Sequence, residues 1–429
     1  MRTKTLLPAL LVFAWLPSLL DAQTAARPAK PRTESGFDTN RLTRIDQMLQ
    51  RYVDEGQIAG AVGLVMRDGK IIYERAVGWA DKEAGRRMTT DVIFRIASQS
   101  KAITSTAIMM LFEEGRLGLD EPVSHYIPPF AHTTVATRSD TGRAIAPAKR
   151  AITIRDLLTH TAGISYGTDS LVAPLYSAKG LGPAAGWGWY TADKNEPICT
   201  TMERLATLPF VSQPGERWVY GYNTDVLGCV VERASGIPLD EFVRTRITEP
   251  LGMKDTYFFL PPSKRDRLAA VYSRDSAGHL KRAENGPRGQ GDYVDGPRLS
   301  FAGGAGLLST ARDYTRFLQM LLNGGELDGV RILSPKTIDL MTTNQVGTLY
   351  SWPPGQGFGL AFSTTDRVGA DGLASVGSWG WGGAYSTVYK VDPKERLVIA
   401  FMVQQFPYGV EAAQRFPTLV YQALVEPRK

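Results

Sequence analysis

The sequence FRIASQSKAITSTAIMMLFEEGR, residues 94–116, places a lysine three residues after a serine at the start of an apolar helical pattern. Side chains at positions i and i+3 lie on the same face of a helix, so Ser98 and Lys101 are predicted neighbours. The apolar residues that follow would bury the helix, and burial lowers the pKa of a lysine. A neutral amine beside a hydroxyl is a general base beside a nucleophile.

The start of a helix adds a second catalytic element to this stretch. Backbone N–H groups and the positive end of the helix dipole would stabilise an oxyanion formed when Ser98 attacks a carbonyl group. The alternative is a serine N-cap with a lysine that reaches solvent. Ser-x-x-Lys is a weak pattern by itself, so other parts of the chain must decide.

Composition narrows the classes of function. The chain has 429 residues, of which 43% are hydrophobic and 21% charged, as in ordinary globular proteins. Its net charge of +6 is spread along the chain without a long Lys/Arg block, so neither nucleic acid nor a membrane surface is a predicted partner. The four histidines and two cysteines have no metal-like spacing. We therefore expect no metal and no cofactor.

The first residues predict export. Residues 1–22 combine a basic start, a short apolar run and small residues near Ala22, which is typical of a cleaved signal peptide. The protein would then be periplasmic or secreted, with no membrane span after cleavage. Residues 23–36 are predicted to be a disordered tether. An oxidising compartment permits a disulfide between Cys199 and Cys229, but the sequence leaves their pairing open.

Strand signals at both ends of the chain predict one antiparallel sheet. AVGLVMRDGKIIYERAVGWA reads as a hairpin that turns at Asp68-Gly69, and AYSTVYKVDPKERLVIAFMVQQ as a second hairpin. A last helix is predicted over residues 410–425. Residues 37–119 and 298–429 would form an α/β domain, and residues 120–297 a mainly helical domain.

The predicted helical domain carries two clear helix signals. In TIRDLLTH, Thr153 and Asp156 have the spacing of a capping box. TDVLGCVVERASG predicts a helix that begins after an N-cap at Asn223 or Thr224 and ends at Gly236. Long loops here carry aromatic residues that would either line an acyl or alcohol pocket or simply pack. These are Tyr166, Tyr176, Trp187, Trp189 and Tyr190.

Two further stretches, WVYGYNTDVLG and GSWGWGGAYSTVYKVDP, complete a set of motifs with Ser98-Gln-Ser-Lys101. With them the chain resembles the serine β-lactamase and penicillin-binding-protein superfamily over nearly its whole length after the signal peptide. Within it, the sequence is most similar to class C β-lactamases and family VIII carboxylesterases. The resemblance implies a β-lactamase/transpeptidase-like α/β (α+β) fold: an antiparallel sheet flanked by helices, with an inserted mainly helical domain and the site at their junction.

The resemblance also implies roles for particular residues. Ser98 would be the acylated nucleophile, Lys101 would help to deprotonate it, and Tyr220 would act as base and then as proton donor to the leaving group. The backbone N–H groups of Ser98 and Ala384 would form the oxyanion hole. Gly382 and Gly383 would let substrate approach the strand closely.

Two motifs depart from the class C pattern. Trp381-Gly382-Gly383 stands where those enzymes have Lys-Thr-Gly, so an anionic substrate loses a charge-assisted hydrogen bond of about 1.5–3 kcal/mol. Neutral esters lose nothing, and the Trp-Gly-Gly form is similar to that of family VIII carboxylesterases. Tyr-x-Asn becomes Tyr220-Gly-Tyr-Asn223, which leaves substrate binding by Asn223 open and makes Tyr222 a rival catalytic phenol.

A second serine satisfies a different hydrolase pattern. GISYG makes Ser165 the centre of Gly-x-Ser-x-Gly, which needs a buried strand before it and a helix after it. Here a capped helix precedes the motif and a loop follows it. Ser165 is therefore not the predicted nucleophile.

The sequence thus predicts a serine carboxylesterase that acts through an acyl-enzyme on a small-molecule ester or lactam. The catalytic alternatives are a β-lactamase, a D-amino-acid amidase or peptidase, and an acyltransferase. A protein that only recognises penicillin-like ligands is a further alternative. The sequence carries no information on oligomeric state.

Overall fold

The computed structural model of the chain describes residues 33–140, 142–182, 193–284, 290–350 and 353–428. The predicted signal peptide and most of the predicted tether lie outside these residues. The end of the tether prediction is wrong, because Thr33–Glu34 pairs with Phe37–Asp38. Within the described ranges, no helix has both the length and the apolar character that a membrane crossing requires.

The described residues form nineteen strands and ten α-helices. The strands are β1 (Thr33–Glu34), β2 (Phe37–Asp38), β3 (Gly60–Arg67), β4 (Lys70–Asp81), β5 (Arg86–Arg87), β6 (Phe94–Arg95), β7 (Thr134–Ser139), β8 (Gly142–Pro147), β9 (Pro209–Phe210), β10 (Tyr272–Arg274), β11 (Leu280–Arg282), β12 (Leu308–Ser309), β13 (Glu326–Leu327), β14 (Val330–Arg331), β15 (Gln356–Phe358), β16 (Ser363–Thr365), β17 (Trp379–Gly382), β18 (Val388–Asp392) and β19 (Leu397–Val403). The helices are α1 (Thr39–Asp54), α2 (Ser100–Glu113), α3 (Ile154–Leu158), α4 (Ala173–Ala178), α5 (Ile198–Ala206), α6 (Asn223–Ser235), α7 (Leu239–Val243), α8 (Ala311–Leu322), α9 (Pro335–Thr342) and α10 (Glu411–Tyr421).

An antiparallel sheet in the order β15-β16-β17-β18-β19-β3-β4-β5 organises the molecule. The late strand β19 pairs with the early strand β3 at its centre, so the predicted sheet built from both ends of the chain is confirmed. The predicted hairpin turn is also present. Asp68 and Gly69 both have left-handed backbone angles, with φ of 54° and 75°, as a two-residue hairpin turn requires.

Helices cover both faces of this sheet. On one face α1 and α10 pack together, with Ile45, Leu49 and Phe416 in their shared core. On the other face lie α2 and α8, and α2 also packs against α6. The first twelve residues of α2 are all buried, which fits a helix that has no predominantly polar side. This burial places the start of α2 at the junction between the sheet and the middle segment.

The middle segment, residues 120–297, contains α3 to α7, and none of its described residues forms a strand of the eight-stranded sheet. It also holds the small sheet β8-β7-β9 and the hairpin β10-β11, which the sequence did not predict. The capping box of α3 is present between Thr153 and Asp156. Helix α6 begins at Asn223 and ends at Gly236, so its N-cap is Tyr222, one residue earlier than predicted.

The two cysteines form a disulfide, which settles the pairing that the sequence left open. Cys199 in α5 and Cys229 in α6 have Cα atoms 4.9 Å apart. The bond therefore joins two helices of the middle segment, one of which begins directly after the predicted catalytic Tyr220.

Removal of this disulfide is expected to destabilise the protein. The cysteines are 30 residues apart in the sequence, and a closed loop of that size predicts a loss of about 2–4 kcal/mol in the free energy of unfolding. Chemical denaturation of the Cys199→Ala/Cys229→Ala double variant would measure it. Wild type unfolded under reducing conditions is the control, and an unchanged denaturation midpoint in both would contradict the prediction.

Candidate active site

Ser98 lies in a tight turn between β6 and α2. A single 3₁₀ turn, Ala97–Gln99, connects the two elements. Ala97 has a φ of 44°, a left-handed conformation that is uncommon for any residue other than glycine. Such strained backbone is concentrated at functional sites. Ser98 itself is partly exposed, whereas Ala97 and Gln99 on either side of it are buried.

Lys101 is almost fully buried, with 2% of its surface exposed. Its Nζ lies 3.4 Å from Ser98 Oγ, 3.0 Å from Tyr166 OH and 2.7 Å from the Gly304 carbonyl oxygen. A neutral amine has two N–H donors and one lone pair. If Tyr166 and Gly304 accept the two N–H groups, the lone pair remains for the hydroxyl proton of Ser98. A neutral Lys101 in this arrangement can therefore accept the proton of Ser98.

The Gly304 carbonyl reaches Lys101 because the chain passes very close to α6 at this point. A Cβ at Gly304 would lie 2.4 Å from Asp225 Oδ2, so no side chain fits there. The Gly304 N–H donates to Asp225 Oδ1 over 3.2 Å. Asp225 in the first turn of α6 thus holds the backbone of Gly304, and the Gly304 carbonyl in turn holds Lys101.

Tyr220 stands over the same amine. Its ring centroid lies 4.6 Å from Lys101 Nζ, within the range of a cation–π contact. Its hydroxyl accepts a hydrogen bond of 3.2 Å from Trp381 Nε1 and keeps its own proton available for donation. Ser98, Lys101, Tyr220 and Trp381, which the sequence predicted together, are therefore brought together.

Tyr166 is a site residue that the sequence reasoning considered only as a pocket or packing residue and not as a partner of Lys101. Its hydroxyl contacts Lys101, and burial is the main cause that raises its pKa well above the usual range, followed by the nearby Tyr220 and Asp225. The phenol therefore stays protonated at neutral pH. Tyr166 is 65 residues from Lys101, so no local pattern joins them. The available signal was its position next to Ser165 in the stretch GISYG, which follows TIRDLLTH closely.

The sequence left the roles of two residues around the start of α6 open. Tyr222, the rival phenol, is 1% exposed and its hydroxyl accepts from the Gly182 N–H over 3.1 Å, so it does not face substrate. Asn223 is completely buried. Its amide nitrogen donates to His160 and to the carbonyl groups of Ile164 and Val219. Substrate binding by Asn223, which the motif left open, finds no support in these contacts, because the side-chain amide nitrogen holds the protein's own loop.

The end of β17 lies against the turn that carries Ser98. A Cβ at Gly383 would be 2.5 Å from the Ile96 carbonyl oxygen, so glycine allows this close approach. Ala384 packs on the cluster that contains Ala97. The Ala384 N–H makes no backbone hydrogen bond within the described part of the chain. It is thus available as the predicted oxyanion donor.

Aromatic rings form one wall of the cleft beside Tyr220. Trp218 stacks on Tyr220 at 5.7 Å, and Tyr350 lies 4.7 Å from Trp218. Phe358 and Trp381 meet edge to face at 5.4 Å. The motif Trp381-Gly382-Gly383 therefore presents the indole of Trp381 to this wall, where class C enzymes have a lysine.

The remaining candidates do not join the cluster. Ser165 is 4% exposed and its Oγ accepts from the Gly167 N–H over 3.1 Å, which makes it a turn residue. Tyr176 is fully buried in the core. Trp187, Trp189 and Tyr190 lie outside the described residues. Over the described ranges, no three His, Cys, Asp or Glu side chains are grouped closely enough to hold a metal ion.

The fold and this cluster define a class of protein: the serine hydrolases with a β-lactamase/transpeptidase fold. The sequence comparison gives the family. The profile described as Beta-lactamase matches residues 45–423, and the chain belongs to that family. The family assignment predicted from the motifs is thereby confirmed.

Curated relatives and solved structures agree with this assignment. Protein Rv1367c of Mycobacterium tuberculosis is 36% identical over 388 residues, which cover 85% of this chain and 90% of that protein. Esterase EstB of Burkholderia gladioli is 33% identical over 365 residues, covering 81% of this chain and 86% of EstB. The structure of EstCE1, described as a hydrolase with promiscuous acyltransferase activity, matches with a TM-score of 0.71 and 27% identity. The match covers 90% of this chain and 99% of EstCE1.

Proposed function

We propose that the protein is a carboxylesterase that works through an acyl-enzyme on Ser98. The observation that carries the proposal is the position of Lys101 Nζ, which lies 3.4 Å from Ser98 Oγ with two other acceptors fixed around it. The similarity to Esterase EstB supports the choice of an ester substrate.

The proposed reaction has two halves. Ser98 Oγ attacks the ester carbonyl carbon while its proton passes to Lys101, and the N–H groups of Ser98 and Ala384 stabilise the oxyanion. The C–O bond of the ester then breaks, and Tyr220 gives its proton to the departing alkoxide. The proton on Lys101 restores Tyr220. Water next attacks the acyl group, which leaves as a carboxylic acid and returns a proton to Ser98.

The walls of the cleft favour uncharged substrates with apolar groups. Trp381 stands where a lysine would pair with a substrate carboxylate, and its indole N–H is already bonded to Tyr220. Trp218 and Tyr350, which are partly exposed, extend the same apolar surface. An ester with an alkyl or aromatic group can bury that group here, while an anionic lactam gains no ion pair from Trp381.

The test is a comparison of two chromogenic substrates under the same conditions. We expect kcat/KM for p-nitrophenyl butyrate to exceed that for a chromogenic cephalosporin by about ten- to a hundredfold, because the missing charge-assisted bond is worth about 1.5–3 kcal/mol. Steady-state kinetics with purified wild-type protein would measure both values.

Each other outcome identifies one of the alternatives. Faster cephalosporin turnover would favour a β-lactamase and would mean that another cation binds the carboxylate. Formation of a new ester when an alcohol is added would favour an acyltransferase, the activity ascribed to EstCE1 in addition to hydrolysis. Stoichiometric release of p-nitrophenol without turnover would favour a protein that only captures its ligand.

A further inference from the structure

The peptide segment directly before Tyr220 is held from both sides by two residues, by the backbone of His160 on one side and by the side chain of Asn223 on the other. The Val219 N–H donates to the His160 carbonyl oxygen over 2.7 Å. The Val219 carbonyl accepts from Asn223 Nδ2 over 3.2 Å. Asn223 Nδ2 also donates to His160 Nδ1 over 2.8 Å, which closes a ring of contacts around this segment. We call His160 and Asn223 the Val219 clamp.

The orientation of each side chain in the Val219 clamp is determined by its partners. Asn223 Nδ2 faces two carbonyl oxygens, those of Ile164 and Val219, so this end of the amide must be the donor. His160 Nδ1 is consequently an acceptor. Burial, followed by the charge of Lys101, lowers the pKa of His160 well below its usual value, so the ring stays neutral and keeps that acceptor.

The ring of His160 is also a packing surface for the catalytic phenol. Its centroid lies 4.8 Å from that of Tyr220, and it contacts Trp218 and Phe358 at 5.7 and 5.6 Å. His160 is 1% exposed and has a left-handed φ of 57°. A strained backbone at a buried histidine that touches no solvent indicates a constraint beyond simple packing.

We propose that His160, acting through the Val219 clamp, is a positioning residue for Tyr220. This inference rests on the proposed function, in which Tyr220 protonates the leaving alkoxide. Among the hydrogen bonds of the described residues, His160 bonds to neither Ser98 nor Lys101, so we expect its main effect on the step that Tyr220 performs. Displacement of a catalytic group by about 1 Å can cost up to about a hundredfold in rate.

The dependence on the leaving group distinguishes positioning from general damage. In the His160→Asn variant, we expect kcat for ethyl butyrate to fall about tenfold and KM to stay within about twofold. The rate with p-nitrophenyl butyrate should fall less than about threefold, because p-nitrophenolate leaves without needing a proton. Asparagine suits this position, since it tolerates a left-handed φ but lacks the ring.

A double-mutant cycle identifies the residue through which His160 acts. In a Tyr220→Phe background, His160→Asn should cause no further loss with ethyl butyrate, because the group that it positions is already gone. In a matched Tyr166→Phe background, the tenfold loss should persist. Equal losses with both esters, or an undiminished loss in the Tyr220→Phe background, would overturn the proposal.

The experiment separates this inference from the proposed function. If the wild type turns over p-nitrophenyl butyrate normally but His160→Asn lowers the rates with both esters equally or with neither, only the positioning role is refuted. If the wild type turns over neither ethyl butyrate nor p-nitrophenyl butyrate, the proposed function is refuted. Thermal unfolding reports whether the variant folds. If His160→Asn does not fold, Asn223→Ala removes the other half of the Val219 clamp, and the same leaving-group effect is expected from it.

Discussion

Replacement of Ser98 by alanine is expected to lower kcat/KM for p-nitrophenyl butyrate by at least about a thousandfold, since loss of a nucleophile removes the covalent route altogether. The thermal midpoint should change little, because Ser98 is partly exposed and its Oγ is bonded only weakly, at 3.4 Å from Lys101. Steady-state kinetics and thermal unfolding of the same preparation would measure both quantities.

The chain offers a matched control for this substitution. Ser165→Ala changes the serine of the Gly-x-Ser-x-Gly pattern, which is buried and accepts the Gly167 N–H. We expect this variant to keep its activity within about threefold, with at most a small loss of stability from one unpaired N–H. If Ser98→Ala retains wild-type activity while Ser165→Ala loses it, the α/β-hydrolase reading is right and the assignment of Ser98 fails.

The parts of the fold that sequence could predict depend on neighbours in the chain. The turn at Asp68-Gly69 follows from backbone preferences of two adjacent residues, and the capping box from Thr153 and Asp156 three positions apart. The pair Ser98 and Lys101 was equally local, since it lies within one helical turn. In each case the interaction joins residues that are at most three positions apart, so the local sequence pattern is enough to predict it.

The parts that sequence could not predict depend on distant residues. Tyr166 reaches Lys101 only because the middle segment folds back over α2. The extra residue in Tyr220-Gly-Tyr-Asn223 left the role of Asn223 open, and only the fold shows that its amide nitrogen donates to carbonyl groups of the protein itself. The four histidines were considered only as metal ligands, so His160 was overlooked as a neutral partner of Asn223. Local spacing gives no information on any of these contacts.

Lys101→Met is expected to lower kcat for p-nitrophenyl butyrate by at least about a thousandfold, because methionine fills a similar volume but cannot accept the Ser98 proton. It also leaves the Gly304 carbonyl without its donor. Lys194→Met is the matched control, since Lys194 is half-buried and, like Lys101, donates to a backbone carbonyl, that of Gly180, over 2.7 Å. This control should keep wild-type activity, and thermal unfolding would show how much stability each variant loses.

The Lys101→Arg variant then tests whether Lys101 acts as a base for Ser98 or only as a positive charge. An arginine supplies a positive charge and hydrogen-bond donors near Tyr166 and Gly304, but its guanidinium does not give up a proton in proteins. If Lys101 is the base for Ser98, the arginine variant should be as inactive as Lys101→Met in the same kinetic assay. Recovery of the arginine variant to within about tenfold of wild type would mean that Lys101 acts through its charge alone. In that case the proton of Ser98 must pass to another group, and Tyr220, whose ring faces the same amine, would be the group to test.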